Sequence, residues 1–260
     1  MKLISLNAFG GTKFVALADF IDKQKDSTDI FCFQEIFDTP TDMKNSKGVR
    51  TNLYFEISKI LKDFNGHFAP ASKNHDLEGV VDFEVFFGLV TFVKKSLTVI
   101  SQDTQMLFNK KFGSLGEAFK KLPKNIQMLK IRNDGKVCNI FNLHGQWYPE
   151  TKLDTKKRLI QSKKIVSLIN KSSGKKIICG DFNLEPNTKS IKIIEQSGLI
   201  NLIKKFHVKA TRVANFKKYG DIQYFADYIF VSKGVEVKNF KVPKVKISDH
   251  LPLILEFELA

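Results

Sequence analysis

The sequence predicts a mixed α/β fold, built as a single domain over residues 1–260. Short apolar runs rich in β-branched and aromatic residues recur along the whole chain, as strands require. Between several of them lie segments whose apolar residues repeat at the helical period. One junction, Asn133-Asp134-Gly135-Lys136, joins two strand-like runs directly. Its Asp-Gly pair is the signal of a tight hairpin, so those strands should be antiparallel neighbours in a mixed sheet.

In chain order, Leu3 to Leu6 is the first strand, and Phe14, Leu17, Ala18 and Ile21 mark the first helix. Asp29 to Phe33 is the second strand; Leu53, Ile57, Ile60, Leu61 and Phe64 mark the second helix. Val85 to Val93 follows, then Ile126 to Ile131 and Val137 to Leu143 on either side of the hairpin signal. Leu159, Ile160, Ile165, Val166 and Ile169 give a third helix, and Lys175 to Cys179, Tyr224 to Val231 and Leu253 to Leu259 are the last strands. Ser101 to Asn125 and Thr211 to Ile222 lack clean periodicity and read as loops, either over a site or merely solvated. No internal repeat, low-complexity tract or Pro/Gly linker divides the chain.

A hydrophobic share of 43% with 12% aromatics is that of a globular protein and argues against disorder. No run approaches the ~18 apolar residues of a membrane span. Met1-Lys2-Leu3-Ile4-Ser5-Leu6-Asn7 has no apolar stretch of ~7 to 15 residues before a cleavage site, which predicts a chain that is not exported. Cys32, Cys138 and Cys179 are odd in number and each sits in an apolar run, as expected of reduced core thiols in the cytoplasm; the chain is expected to act as a monomer. The formal charge of +15 suggests phosphate-bearing partners such as nucleic acid. Against this, the only arginines are Arg50, Arg132, Arg158 and Arg212, and the lysines are spread over the whole chain, as a solvated surface would have them.

Polar residues of catalytic type follow the strands closely: Asn7 after Leu6, Gln34-Glu35 after Phe33, His144 after Asn142-Leu143, and Asp181 and Asn183 around Gly180. Strand ends of layered α/β folds line a binding crevice. Asp227, between Phe225-Ala226 and Tyr228-Ile229, should be buried, and a lone buried charge costs several kcal/mol unless it is paired. His250 is its natural partner, and an Asp-bound imidazole has a fixed tautomer and raised basicity for work on a substrate oxygen. Glu35, Asp181 and Asp249 would crowd negative charge together if their strands converge, which is sensible around a cation; hard oxygen ligands select Mg²⁺ or Mn²⁺. Gly180 permits a sharp turn and sets Asp181 and Asn183 on one side, although an Asx-turn explains the pair without function. Taken singly, Asn7 reads as a turn cap and His144 as a structural histidine. Trp147 and Tyr148 suit stacking on a base or binding a phosphate, and suit plain packing equally.

The ordered set Leu6-Asn7, Gln34-Glu35, Asn142-Leu143-His144, Gly180-Asp181-Phe182-Asn183, Asp227-Tyr228-Ile229 and Ser248-Asp249-His250 resembles the endonuclease/exonuclease/phosphatase superfamily, with its deoxyribonuclease I-like fold. The resemblance implies a four-layer α/β sandwich of two packed mixed sheets flanked by helices. It also implies that Glu35 binds the metal, assisted by Asn7 and Asp249. Asp181 would orient and deprotonate the attacking water, and Asn183 would hold that water or the phosphate. His250, polarised by Asp227, would face the phosphate, and His144 would contact a phosphate oxygen or assist the leaving group. Such a set serves in-line attack on phosphorus, where an anionic ester repels hydroxide until its charge is neutralised. Phe225-Ala226 stands before Asp227 where abasic-site endonucleases of the superfamily carry an arginine-rich stretch, which argues against DNA repair. The expected function is therefore a metal-dependent phosphodiesterase acting on nucleic acid. A phosphatase for phosphoinositide-like or other small phosphate esters is the alternative, and a non-catalytic scaffold binding nucleic acid or protein the third.

Overall fold

The computed structural model describes residues 1–40, 45–46, 48–77, 79–109, 122–148, 151–213, 217–218 and 221–260. The chain opens with β1 (Lys2–Asn7), a 3₁₀ turn at Phe9–Gly11, helix α1 (Phe14–Lys25) and β2 (Ile30–Asp38). A short ladder of β3 (Asn45–Ser46) with β4 (Val49–Arg50) precedes α2 (Leu53–Ile60), β5 (Phe64–Lys73), β6 (Phe86–Lys94) and β7 (Thr98–Phe108). Next come β8 (Lys124–Asn133), β9 (Lys136–His144), α3 (Lys156–Lys171) and β10 (Lys175–Asp181). After α4 (Lys189–Glu195), β11 (Ile200–Asn201) and α5 (Leu202–Lys205), a second short ladder joins β12 (Lys217–Lys218) to β13 (Asp221–Ile222). The chain closes with β14 (Asp227–Val231), β15 (Val235–Lys241) and β16 (Leu253–Leu259).

Two six-stranded sheets result, ordered β15-β16-β1-β2-β6-β5 and β11-β14-β10-β9-β8-β7. Each holds one parallel pair, β1–β2 and β9–β10, among antiparallel neighbours, so both sheets are mixed as expected. The hairpin between β8 and β9 pairs Asn133 with Lys136, and Asp134 and Gly135 both take positive φ (47° and 76°), the conformation the Asp-Gly signal calls for.

The layers follow from period two in the strands. Leu3 of β1 and Cys32 of β2 face the other sheet, in one cluster with Ile140, Ile178 and Leu255. Ile4 and Leu6 point the opposite way, onto Leu17 and Ile21 of α1 and Leu53 and Ile57 of α2. Helices α3 and α4 cover the outer face of the second sheet through Ile165, Ile169, Ile191 and Ile194. Each fully buried side chain of this size contributes roughly 1.5–3 kcal/mol. A polar staple crosses between the sheets: Gln34 Nε2 donates to Asn142 Oδ1 (2.7 Å), and Asn142 Nδ2 donates to Phe33 O and Val90 O (3.2 Å each). A buried amide satisfied in only one arrangement fixes the lateral register of the two sheets.

Several sequence expectations change. Phe64 opens β5 and does not continue a helix, because α2 ends at Ile60. Ser101 onward lies in β7, so only part of the expected loop Ser101 to Asn125 is irregular, and residues 110–121 lie outside the described ones. The strand expected from Tyr224 begins at Asp227. In the expected loop Thr211 to Ile222, Lys217–Lys218 pairs with Asp221–Ile222. The buried stripe of α3 runs through Arg158, Gln161, Ser162, Ile165 and Ile169, whereas Ile160 is exposed.

At the C-terminal end of β2 a small cluster forms from Phe37, Val49, Val85 and Phe87. The His75 ring packs on Phe37 and Phe87, its Nδ1 lies 3.0 Å from Asp76 O, and its Nε2 lies 2.7 Å from Ser72 Oγ. Burial pushes this imidazole down from 6.5 to about 4. The unfolded chain therefore takes up a proton at a pH where the folded chain does not. Stability from this group is complete above pH 6.5 and is lost as pH falls to about 4, by roughly 3 kcal/mol. His75→Gln should flatten the decline of unfolding free energy across that window in urea titrations; an unchanged slope would show that His75 titrates normally.

Candidate active site at the common ends of the two sheets

The topology delivers the expected residues to one place. Asn7 ends β1, His144 ends β9 and Asp181 ends β10, so the parallel strands terminate together. Antiparallel β14 starts at the same edge, with Asp181 opposite both His144 and Asp227 in register. Ser248-Asp249-His250 lies on the approach to β16, the antiparallel neighbour of β1.

Three backbone departures aim the side chains. Register shifts between Phe33 and Ile36, so that Gln34 and Glu35 form a bulge in β2, and Glu35 has φ 56°. A bulge re-aims one side chain out of strand alternation, and positive φ in a glutamate costs on the order of 1 kcal/mol. Asn183 also has φ 56°, and its backbone N–H donates to Asp181 Oδ1 (2.8 Å). Gly180 has φ 131°, and a Cβ there would lie 2.1 Å from Leu143 O. Glycine is thus demanded by the close approach of β9 to β10, within the strand and not by a turn after it.

The carboxylates converge. Asn7 Nδ2 donates to Glu35 Oε1 (3.0 Å) and to Asp181 Oδ2 (3.1 Å), while Asn7 Oδ1 accepts from Phe9 N. His144 Nε2 lies 3.7 Å from each of the same two carboxylate oxygens. Among the described residues, Glu35, His144 and Asp181 each offer a ligand atom within 4.8 Å of the others, and so do Asp181, Asp227 and His250. Burial and the Asp249 charge raise the Glu35 carboxyl above its usual range. Burial pushes Asp181 the same way, but the charges of His250, Lys152 and Arg212 prevail and hold it well below that range. Two carboxylates of opposed tendency around one gap, Asp181 buried and Glu35 partly exposed, are a donor set that a divalent cation fits.

His250 Nδ1 is 2.8 Å from Asp227 Oδ2, the pairing expected from the sequence. Burial disfavours a charged imidazole there, but Asp227 and Asp249 outweigh it and raise His250. His250 Nε2 is left facing Asp181 Oδ2 at 3.9 Å and Asp249 Oδ1 at 3.8 Å. Asp249, expected beside the metal, is ion-paired to Arg212 at 2.6 Å and accepts from Ser248 Oγ at 3.2 Å. Ser248 Oγ also lies 2.7 Å from Asn7 O, tying the last motif to the first.

Four basic residues were not singled out as site residues from the sequence. Besides Arg212, buried Lys124 places Nζ 3.1 Å from His144 Nε2. Buried Lys152 donates to Asn183 Oδ1. Burial pushes both ammonium groups down to about 8, and burial with the Lys124 charge holds His144 neutral, well below its ordinary value. Arg158 of α3 donates to Gln146 O (3.1 Å), Trp147 O (2.9 Å), Leu153 O (2.7 Å) and Thr151 O, and so fixes the segment that carries Lys152. A polar residue on the buried stripe of a helix was the available signal for Arg158; lysines in so basic a chain gave none. Trp147 and Tyr148 are half-buried beyond His144 and pack edge-to-face on each other, centroids 5.8 Å apart.

A two-sheet α/β sandwich with carboxylates, histidines and an asparagine at the common strand ends defines a class, the metal-dependent hydrolases of phosphoester bonds. The chain belongs to the Endonuclease/Exonuclease/phosphatase family, whose model matches residues 4–250. Among solved structures it is similar to a mannosyl-6-phosphatase of Bacteroides thetaiotaomicron, with TM-score 0.70, 18% identity and 100% of each chain covered. A family protein from Leptotrichia buccalis gives TM-score 0.71 and 18% identity, again over 100% of each chain. D. rerio TDP2 complexed with a single-strand DNA product gives TM-score 0.67 and 13% identity, over 99% of this chain and 98% of that one. No curated protein matches by sequence.

Proposed function

We propose that this chain is a Mg²⁺- or Mn²⁺-dependent hydrolase that cleaves phosphoester bonds by in-line attack of water. The observation that supports this best is the convergence of Glu35, Asp181, His144 and the His250–Asp227 pair on one gap, with Asn7 spanning the two carboxylates. Glu35 and Asp181 would hold the ion, with Asn7 positioning them and Asp249 close by. When bound, the ion neutralises phosphate charge and polarises the phosphorus centre. Asp181, ionised at any working pH, accepts the proton of the attacking water and orients it; Asn183 holds that water or a phosphoryl oxygen. His250, charged and oriented by Asp227, donates to a nonbridging oxygen from Nε2. His144, kept neutral, faces the leaving-group side.

Two substrate readings each rest on their own observation. The net charge of +15 supports a phosphodiesterase acting on nucleic acid, as does the likeness to a protein solved with a DNA product. Buried lysines at the site support a phosphatase acting on a terminal phosphate, as does the likeness to a protein named a mannosyl-6-phosphatase. We read residues 1–260 as one domain acting as a monomer, and the free, buried Cys32, Cys138 and Cys179 suit the cytoplasm. No described helix is long and apolar enough to cross a membrane. The purified chain should be assayed with Mg²⁺ or Mn²⁺ against single- and double-stranded DNA, abasic DNA, RNA, phosphoinositides, sphingomyelin and simple phosphomonoesters. Turnover of one class is expected; no turnover of any phosphoester would sink the proposal.

A further inference from the structure

Lys124 and Lys152 are 2% and 7% exposed, respectively. Among the described residues neither ammonium lies within ion-pair distance of a carboxylate, in contrast to Arg212, which has Asp249 at 2.6 Å. The hydrogen-bond partners in place, a ring nitrogen of His144 and the side-chain oxygen of Asn183, are neutral groups. Glu35 and Asp181 act on Lys124, and Asp181 and Asp227 on Lys152, only from beyond ion-pair distance and do not offset burial. A buried cation so poorly matched costs several kcal/mol, and a methionine would fill the same space without that cost. An anion that binds between them removes the penalty.

The placement says where that anion sits. Lys124 reaches the Oδ2 side of Asp181 through His144, and Lys152 reaches the Oδ1 side through Asn183. The two ammonium groups therefore flank the residue that handles the attacking water. Lys152 is held by a built support, the four carbonyl contacts of Arg158, so its position is set before any ligand arrives. An internal phosphodiester brings one negative charge, whereas a terminal phosphate brings nearly two at pH 7.

We propose that Lys124 and Lys152 grip the oxygens of a terminal phosphate monoester, and that they make it the preferred substrate over an internal diester. The inference rests on hydrolysis at this site and chooses between the two substrate readings. A terminal phosphate occurs on a nucleic-acid end and on a small ester, and the chemistry of recognition is the same.

The test uses the full chain with Mg²⁺ or Mn²⁺, comparing 4-nitrophenyl phosphate with bis(4-nitrophenyl) phosphate and a 5′-phosphorylated oligonucleotide with its unphosphorylated form. Wild type should prefer the monoester. Lys124→Met and Lys152→Met should each raise KM for the monoester, and the inhibition constant of inorganic phosphate, by roughly 10- to 100-fold, a loss at least about 10-fold larger than the loss on the diester. Lys152→Arg, which keeps the charge, should recover part of the loss. The two phosphate-bearing probes then separate the nucleic-acid source from the small ester. Equal losses on both esters, or a changed Mg²⁺ requirement with KM intact, would assign the lysines a structural or ion-substituting role and overturn the inference while hydrolysis stands. Wild-type preference for the diester overturns it as well, and no hydrolysis of either ester overturns the hydrolytic reading with it.

Discussion

Asp181→Asn is expected to lower kcat/KM for phosphoester hydrolysis by about 10³-fold while the chain remains folded. The substitution keeps the shape of the side chain and an oxygen that can accept from the Asn183 backbone N–H, now 2.8 Å away. What it removes is the charge, and with it the acceptor for the water proton. The other oxygen, Asp181 Oδ2, faces Asn7 Nδ2 at 3.1 Å, His144 Nε2 at 3.7 Å and His250 Nε2 at 3.9 Å, so it lies at the centre of the cluster where the lost charge is felt most. Because surrounding cations hold Asp181 well below the usual carboxylate range, its charge favours the folded state above the ordinary carboxylate pKa and loses that effect as pH falls. Some stability should therefore go with it. Steady-state kinetics beside a circular-dichroism melt separates the two effects, and a folded variant with wild-type rate would remove Asp181 from the chemistry.

The second large effect is on the fold. Gly180→Ala should destabilise the chain by roughly 3–5 kcal/mol, which in a domain of this size is a drop in Tm of about 6–20 °C. The new methyl would meet Leu143 O at 2.1 Å and both the N and C atoms of Leu143 at 3.0 Å, all backbone atoms of a paired strand, with φ at 131°. Backbone in the middle of a sheet has no flexible end to swing aside, so the strands must part. Asp181 and His144 lie next along these two strands, and a variant that folds should also turn over more slowly. A Tm within about 2 °C of wild type would mean that the β9–β10 approach is looser than described.

The sequence reading of the fold divided along a physical line. Its eight strands are β1, β2, β6, β8, β9, β10, β14 and β16, which are the interior strands of the two sheets. Of the two six-stranded sheets, the strands it missed, β5, β7, β11 and β15, are the four edges; the two-residue strands of the β3–β4 and β12–β13 ladders were missed as well. An interior strand in a layered fold is buried on both faces and reads as a continuous apolar run. An edge strand is free to carry polar residues: β7 exposes Ser101, Gln102 and Asp103, and β5 accommodates Pro70 at a register shift. Helices α4 and α5 were missed because seven and four residues give too short a window for a helical period.

The site was legible where a polar residue interrupts an apolar run, as at Asn7, His144, Asp181 and Asp227. The bulge that turns Glu35 inward, the Arg212–Asp249 pair and the buried lysines depend on tertiary approach and leave no local trace. Gly180 was visible as a glycine, but the reason for it lies 37 residues earlier in sequence, at Leu143.

The most direct measurement is hydrolysis of 4-nitrophenyl phosphate and bis(4-nitrophenyl) phosphate by the purified chain after EDTA treatment, followed by return of Mg²⁺ or Mn²⁺. Activity should vanish with the chelator and return with the ion for wild type, and should not return for Asp181→Asn. Hydrolysis that persists unchanged in EDTA, or that neither ion restores, would contradict a metal-dependent site built on Glu35 and Asp181.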